Sequence, residues 1–209
     1  MPVYKLMYFP ARARGEVARL LFAAADQEFE DQRLNFEQWG PLKASTPYGQ
    51  LPVLNVDKTK INQSGAICRY LAREFGLYGK GNIGSTRCDI IMETANDVFN
   101  ELARKIWFPA DESKKSEAEE TFKTTTVPKF LDYLTKVLKE NGGKFTVGSE
   151  LTVADLVVFD LLDKLVANSR FSLGEDMYKG YSDVKSYIDG IKAIPRIQKY
   201  LESRPKSDL

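Results

Sequence analysis

Four of the nine residues from Gly76 to Gly84 are glycine, a density that the interior of a helix or strand does not sustain, because each glycine loses the most backbone freedom on ordering. The stretch separates two hydrophobic patterns. Before it, short β-prone runs alternate with helical ones; after it, every apolar repeat is helical. A chain of 209 residues is long enough for each side to bury its own core. The expected organisation is an α/β domain over residues 1–78, a linker over 79–84 and an all-α domain over 85–209.

Val3 to Phe9 is an apolar run with a single charge, Lys5, and reads as a buried strand. A basic loop, Pro10 to Gly15, comes next, and Val17, Leu20, Leu21 and Ala24 then recur at helical spacing, predicting a helix over Glu16–Ala25. Phe29 to Leu34 reads as a second strand and Asn35 to Pro47 as irregular. Leu51 to Val56 is another apolar run, joined by an Asp57-Lys58-Thr59-Lys60 turn to Ile61. Ser64 suits the N-cap of a helix carrying Ile67, Tyr70, Leu71 and Phe75 on one face. Beyond the glycines, Ile90, Ile91, Thr94, Ala95, Val98 and Leu102 build one long helix, and residues from about Glu117 to Leu138 build another with a kink at Pro128. Thr152-Val-Ala-Asp155, flanked by Leu151 and Leu156, is a capping box that starts a helix at Val153. Pro195 fits the first position of a closing helix.

Charged residues make up 28% of the chain and nearly cancel, at a formal charge of +1, so no global field favours nucleic acid or an anionic membrane. No run approaches the ~20 apolar residues of a membrane span, and the N-terminus has no secretory pattern. A cytoplasmic address is the expectation. Cys68 and Cys88 lack the spacing of a disulfide framework or a metal site, and no metal is expected. The absence of histidine excludes more: Ser-His-Asp and Cys-His pairs, imidazole shuttles and most zinc sites go together. Acid–base chemistry must use Tyr, Lys, Arg or carboxylates, or a reactive group borrowed from a bound cofactor.

In α/β folds ligands gather beyond the carboxyl ends of strands, and Tyr8 ends the first one, with Phe9, Arg12 and Arg14 as neighbours. Gln50-Leu51-Pro52-Val53 places a proline at the entry to an apolar strand, where a cis bond would leave the backbone of Leu51 available to an extended, peptide-like ligand. Gln63-Ser64 opens a helix, whose unpaired N–H groups attract an anion. Trp39 and Lys43 add an indole donor and a cation. Each also has an ordinary structural reading: a core aromatic, an edge proline, a helix cap.

Taken together these residues resemble the cytosolic glutathione transferases over nearly the whole chain. Tyr8-Phe9 closing the first strand, Arg14-Gly15-Glu16, Trp39, Lys43, Pro47-Tyr48-Gly49-Gln50-Leu51-Pro52 and Gln63-Ser64 stand in that family's order and spacing, and Ser149 to Asp155 resembles a helix start in its helical domain. Tyr at the strand end, with Arg14 six residues on, is most similar to the sigma class and its invertebrate members, the class that includes haematopoietic prostaglandin D synthase. The resemblance implies an N-terminal thioredoxin-like domain plus an all-α C-terminal domain, glutathione as co-substrate, hydrophobic electrophiles as second substrates, and a homodimer. It implies Tyr8 and Arg14 as catalytic residues. It assigns glutathione binding to Tyr8, Phe9, Arg14, Trp39, Lys43, Gln50, Leu51, Pro52, Gln63 and Ser64. Within that set Leu51 pairs with the cysteinyl part, Gln63 and Ser64 hold the γ-glutamyl carboxylate, and Trp39, Lys43 and Gln50 approach the glycyl end. Asp97 would reach the γ-glutamyl amine across the dimer interface. By position the electrophile site takes Phe9, Ala13, Arg104, Phe108 and the tail near Leu209, although Arg104 and Phe108 read equally as a solvated charge and a core aromatic.

The implied function is conjugation of the glutathione thiolate to electrophilic small molecules, as in detoxification, with peroxidase activity as an extension. A non-catalytic ligandin carrying haem or lipids and a glutathione-dependent prostaglandin isomerase are the alternatives. Arg104 stands where that isomerase has tryptophan, Asn96 replaces an acid beside Glu93 and Asp97, and Gly65 is smaller than the family's usual residue.

Overall fold

The computed structural model describes residues 2–207, so Leu209, expected near the electrophile site, lies outside the described residues. The chain divides into two units, one running to Leu77 and resumed from Pro195 onward, the other spanning Tyr78–Ile194.

In the first unit β1 (Tyr4–Tyr8) is followed by α1 (Glu16–Ala25), β2 (Glu30–Arg33), α2 (Phe36–Leu42), β3 (Val53–Val56), β4 (Thr59–Asn62) and α3 (Ser64–Glu74). The four strands form one mixed sheet in the order β2-β1-β3-β4, with β1 parallel to β2 and antiparallel to β3, and β3 antiparallel to β4. Tyr4, Leu6 and Tyr8 of β1 are buried while Lys5 and Met7 are half-buried, the alternation expected of a strand covered chiefly on one face. Helices α1 and α3 pack together, and the Phe22 ring stacks on Phe29 at 4.1 Å and meets Tyr4 edge-on at 5.4 Å.

Three local features differ from the sequence expectation. The segment after Asn35 is helical, not irregular, because Asn35 accepts from the Gln38 backbone while Gln38 accepts from the Asn35 backbone, a reciprocal capping box. The β3–β4 hairpin is tighter than expected: Asp57 takes a positive φ of 51°, and β4 starts at Thr59. Ser64 is the first helical residue of α3, with Gln63 as its N-cap.

The second unit is all-helical: α4 (Gly81–Glu101), α5 (Lys115–Thr121), α6 (Val127–Glu140), α7 (Val153–Val166) and α8 (Ser182–Lys192). Helix α7 packs on α4 and α8, and its residues from Val153 to Leu165 are buried nearly all round; that is why its apolar pattern has no polar face. The expected kink at Pro128 takes another form. Proline lacks the N–H that would bond the carbonyl of Thr124, and the turn upstream, Phe122–Thr126, opens into a π-helix before α6 resumes. A second π turn, Leu102–Trp107, ends α4.

The last helix, α9 (Pro195–Ser203), groups with the first unit, where it packs against α1. The sequence placed it with the helical domain. An ion pair between Arg204 and the buried Glu16 of α1, at 2.9 Å, holds it there. The linker expectation also shifts, since α4 already begins at Gly81.

Candidate functional site

Strand register assembles the site. Met7 of β1 is paired with Val53 of β3, and Val53 with Asn62 of β4. The next residue along β1 is Tyr8, the residues entering β3 are Leu51 and Pro52, and those leaving β4 are Gln63 and Ser64. Three chain segments far apart in sequence therefore meet at one end of the sheet. The Leu51–Pro52 peptide bond is cis, and Gln63 sits at a φ of 69°, a region that a non-glycine residue occupies only when its surroundings impose it.

Tyr8 is 6% exposed. Its hydroxyl oxygen accepts the backbone N–H of Arg14 at 3.1 Å, which orients the phenol. The ring lies flat against Gly15: a Cβ at that position would fall 2.5 Å from Cδ1 of Tyr8. Arg19 stands with its guanidinium carbon 5.9 Å from the ring centroid. Phe9 gathers three aromatic neighbours, Tyr8 at 5.7 Å, Phe36 at 5.1 Å and Trp39 at 6.3 Å. Phe36 is 80% exposed, so α2 carries a solvent-facing ring beside the strand end.

Arg19 is fully buried and its donors are spread over the loop that carries Arg14. Nη1 donates to the carbonyl of Ala11 at 2.7 Å, Nη2 to that of Phe9 at 3.4 Å, and Nε to both carboxylate oxygens of Asp31 at 3.1 Å. Glu16 flanks it at 3.4 Å. A guanidinium with no exposure is tolerated only with such compensation. Ala13, in the same loop, has a φ of 27°.

Of the residues expected at the site, Tyr8, Phe9, Arg14, Trp39, Leu51, Pro52, Gln63 and Ser64 are thus linked by register, ring contacts or hydrogen bonds in one unit. Lys43 and Gln50 are exposed on the segment between α2 and β3. Asp97, Arg104 and Phe108 belong to the second unit. Asp97 and Arg104 are exposed, and Phe108 is 57% exposed with Arg170 over its ring at 5.0 Å; the core aromatic there is its neighbour Trp107. Both cysteines are buried, and burial pushes the Cys88 thiol up to about 11, far from a reactive thiolate at neutral pH. Among the described residues no three His, Cys, Asp or Glu side chains cluster as metal ligands.

Sequence reasoning passed over Gly15, Glu16 and Arg19 as functional residues. The signal was present: two opposite charges three apart, in a helix whose remaining residues are apolar, mark a buried pair more readily than a solvated one.

A mixed β2-β1-β3-β4 sheet with its candidate site at the end of β1, followed by a helical unit, defines a thioredoxin-like protein with an all-α partner region. Residues 2–73 match the model of the glutathione S-transferase N-terminal domain, and residues 96–204 that of the C-terminal domain. Glutathione S-transferase 1 of Ascaris suum is 40% identical with 99% of each chain covered, and S-crystallin SL11 of Nototodarus sloanii is 31% identical with 98% covered. Among solved structures, a Nu-class enzyme from Haemonchus contortus superposes with a TM-score of 0.88 at 37% identity, both chains fully covered. A monomeric glutathione S-transferase from Necator americanus gives 0.90 at 31%, covering 99% of this chain and 100% of that one. Prostaglandin synthase D of Nilaparvata lugens gives 0.86 at 33%, covering 98% and 100%. The chain belongs to the glutathione S-transferase family and is a glutathione transferase enzyme with glutathione as co-substrate.

Proposed function

We propose that the chain conjugates glutathione to hydrophobic electrophiles, and that the Tyr8 hydroxyl donates a hydrogen bond to the glutathione sulfur and holds it as a thiolate. The observation that carries this reading is the Arg14 N–H to Tyr8 oxygen bond, because it fixes the phenol oxygen at the end of β1, where the segments of Leu51, Pro52 and Gln63 also arrive. A free thiol has a pKa near ~8.5, so a few per cent is ionised at neutral pH; lowering that by ~2 units takes about 2.7 kcal/mol of preference for the anion. One charge-assisted hydrogen bond, with the Arg14 cation nearby, is on that scale.

Around that sulfur, Leu51 supplies backbone for the cysteinyl unit, Gln63 and Ser64 receive the γ-glutamyl carboxylate at the start of α3, and Trp39, Lys43 and Gln50 serve the glycyl end. Phe9 borders both substrates. Arg104 and Phe108, the second unit's candidates for meeting the electrophile, are both exposed. The sigma-type assignment rests on Tyr8 at the strand end, on Arg14 and on the likeness to a prostaglandin synthase, while the Nu-class neighbour shares the same fold. A cytoplasmic homodimer completes the reading. Ile83, Ile90 and Asp97 recur every seven residues along α4 and are all exposed, a stripe on one helix face, and Tyr48 is 68% exposed.

The test is steady-state turnover of the parent and of Tyr8→Phe with glutathione against an aryl halide, an unsaturated aldehyde, an organic hydroperoxide and a prostaglandin endoperoxide. Turnover of the conjugated substrates is expected to fall roughly ten- to a thousandfold in Tyr8→Phe with glutathione affinity nearly intact. Equal turnover in the two proteins removes Tyr8 from the mechanism. Tight haem or lipid binding without conjugation by the parent would favour the ligandin reading, and turnover confined to the endoperoxide would favour the isomerase.

A further inference from the structure

The first unit contains a chain of alternating charges, buried at Glu16 and Arg19, that ends on the catalytic loop. Arg204, after α9, donates to Oε1 of Glu16 at 2.9 Å; Glu16 Oε2 accepts from Arg19 at 3.4 Å; Arg19 donates to the carbonyls of Phe9 and Ala11. The loop bearing those carbonyls supplies the Arg14 N–H that bonds the Tyr8 oxygen. Glu16 and Arg19 are each 1% exposed or less, so water cannot replace a missing partner.

We propose that Arg19 is a positioning residue for the Tyr8 hydroxyl, and that Arg204, 188 residues from Glu16 in sequence, completes it by fixing Glu16. The inference rests on the reading of Tyr8 as donor to the glutathione sulfur. Its physical content is that Arg19 sets the loop by three independent anchors. The Asp31 carboxylate of β2 fixes the guanidinium plane from one side, Glu16 fixes it from within α1, and the two carbonyls receive what donors remain. Because the guanidinium is a rigid fork, displacing one anchor rotates the rest. The cation also lies 5.9 Å from the centre of the Tyr8 ring, where it draws ring density toward itself and makes the phenol O–H a stronger donor to a thiolate. The other charged groups facing this network are Arg33, paired with Asp31 at 2.8 Å, and the buried Arg12 of the loop. Tyr200 of α9 also faces it; burial and the Glu16 carboxylate raise its phenol pKa, which keeps it neutral. The docking of α9 is in this way read out at the sulfur.

The decisive measurement is the pH profile of kcat/KM, together with the ultraviolet absorbance of enzyme-bound glutathione thiolate, for Arg204→Met, Arg204→Lys and Arg19→Lys. In Arg204→Met the acidic limb should move to higher pH and turnover at neutral pH should fall roughly three- to tenfold, with the KM for glutathione little changed. Arg204→Lys, which keeps a cation on Glu16, should recover most of the parent profile. Arg19→Lys keeps the charge and loses the fork, and the loss should reach about tenfold or more. Parent-like pH profiles in all three would overturn the proposal, whatever happens to thermal stability, since a purely structural role lowers stability without moving the limb. Should Arg19→Lys fail to fold, the two Arg204 variants decide alone. Tyr8→Phe separates the two readings: a shifted limb there with unshifted arginine variants discards only the relay, whereas an unshifted limb in Tyr8→Phe discards the catalytic reading beneath it. In a Tyr8→Phe background, Arg204→Met should add no further shift.

Discussion

Gly15 shows how little room surrounds Tyr8, the proposed hydrogen-bond donor. Its missing Cβ is the reason the Tyr8 ring can lie where Arg14 N–H reaches its oxygen, because an added methyl would overlap the ring at 2.5 Å. Something must move, and the backbone of α1 beneath it is held by Glu16 and Arg19. Gly15→Ala is therefore expected to lower stability by about 1–3 kcal/mol, the usual effect of overpacking, and to lower turnover by up to about a hundredfold through misplacement of the hydroxyl. Denaturant unfolding and steady-state kinetics on the same preparation check both; full activity in the alanine variant would mean that the ring position is not what sets the rate. The place of Tyr8 at a strand end was legible in the sequence and is observed, and its candidacy rests on that place and on the absence of histidine. Gly15 was legible as part of a motif and not as a contact, since only the folded arrangement decides which ring a missing methyl would strike.

Among the secondary elements, the start of α7 is heavily tied. Asp155 accepts five hydrogen bonds: Thr146 N–H and hydroxyl and the Tyr187 hydroxyl on Oδ1, Thr152 N–H and hydroxyl on Oδ2. The capping box read from Thr152 to Asp155 is present, but Thr146 and Tyr187 come from outside the motif, so the residue joins a loop and α8 to the helix it caps. Burial and the Asp155 carboxylate together push the Tyr187 phenol well above its usual range, so it serves there as a neutral donor. Asp155→Ala leaves these donors buried without acceptors, and a loss of roughly 3–5 kcal/mol is expected, in the range for breaking a buried charged network. Urea unfolding followed by circular dichroism measures it, and a loss under about 1 kcal/mol would show that water or a rearranged loop replaces the carboxylate. Helix α2 and the π turns were less legible. A seven-residue helix offers too few turns for periodicity to register, and a π turn differs from an α turn only by which carbonyl each N–H chooses.

At the level of the whole molecule, the stripe of Ile83, Ile90 and Asp97 leads to a prediction about assembly. Two apolar side chains left in water on a helix that otherwise buries its apolar face indicate a covering partner, and a second copy related by a two-fold axis is the expected one. Light scattering should give twice the mass of the chain. On the proposal that Asp97 reaches the partner's γ-glutamyl amine, Ile90→Lys should shift the population toward monomer and raise the KM for glutathione with it; an active monomer of parent-like KM would overturn the assignment. The monomeric relative from Necator americanus makes this a question about these particular side chains and not about the fold. The sequence by itself determined the two-part architecture, the helix over Glu16–Ala25, the capped start of α7 and the identity of the strand-end tyrosine, because periodicity, caps and glycine clusters act over a few residues. What only the tertiary structure decided was how distant segments meet: the register that sets Leu51, Pro52 and Gln63 beside the end of β1, the return of α9 to the first unit, and the Arg204–Glu16–Arg19 chain that reaches Tyr8. Those depend on pairings between residues tens to nearly two hundred positions apart, and no local pattern in a chain specifies which buried charge will find which partner.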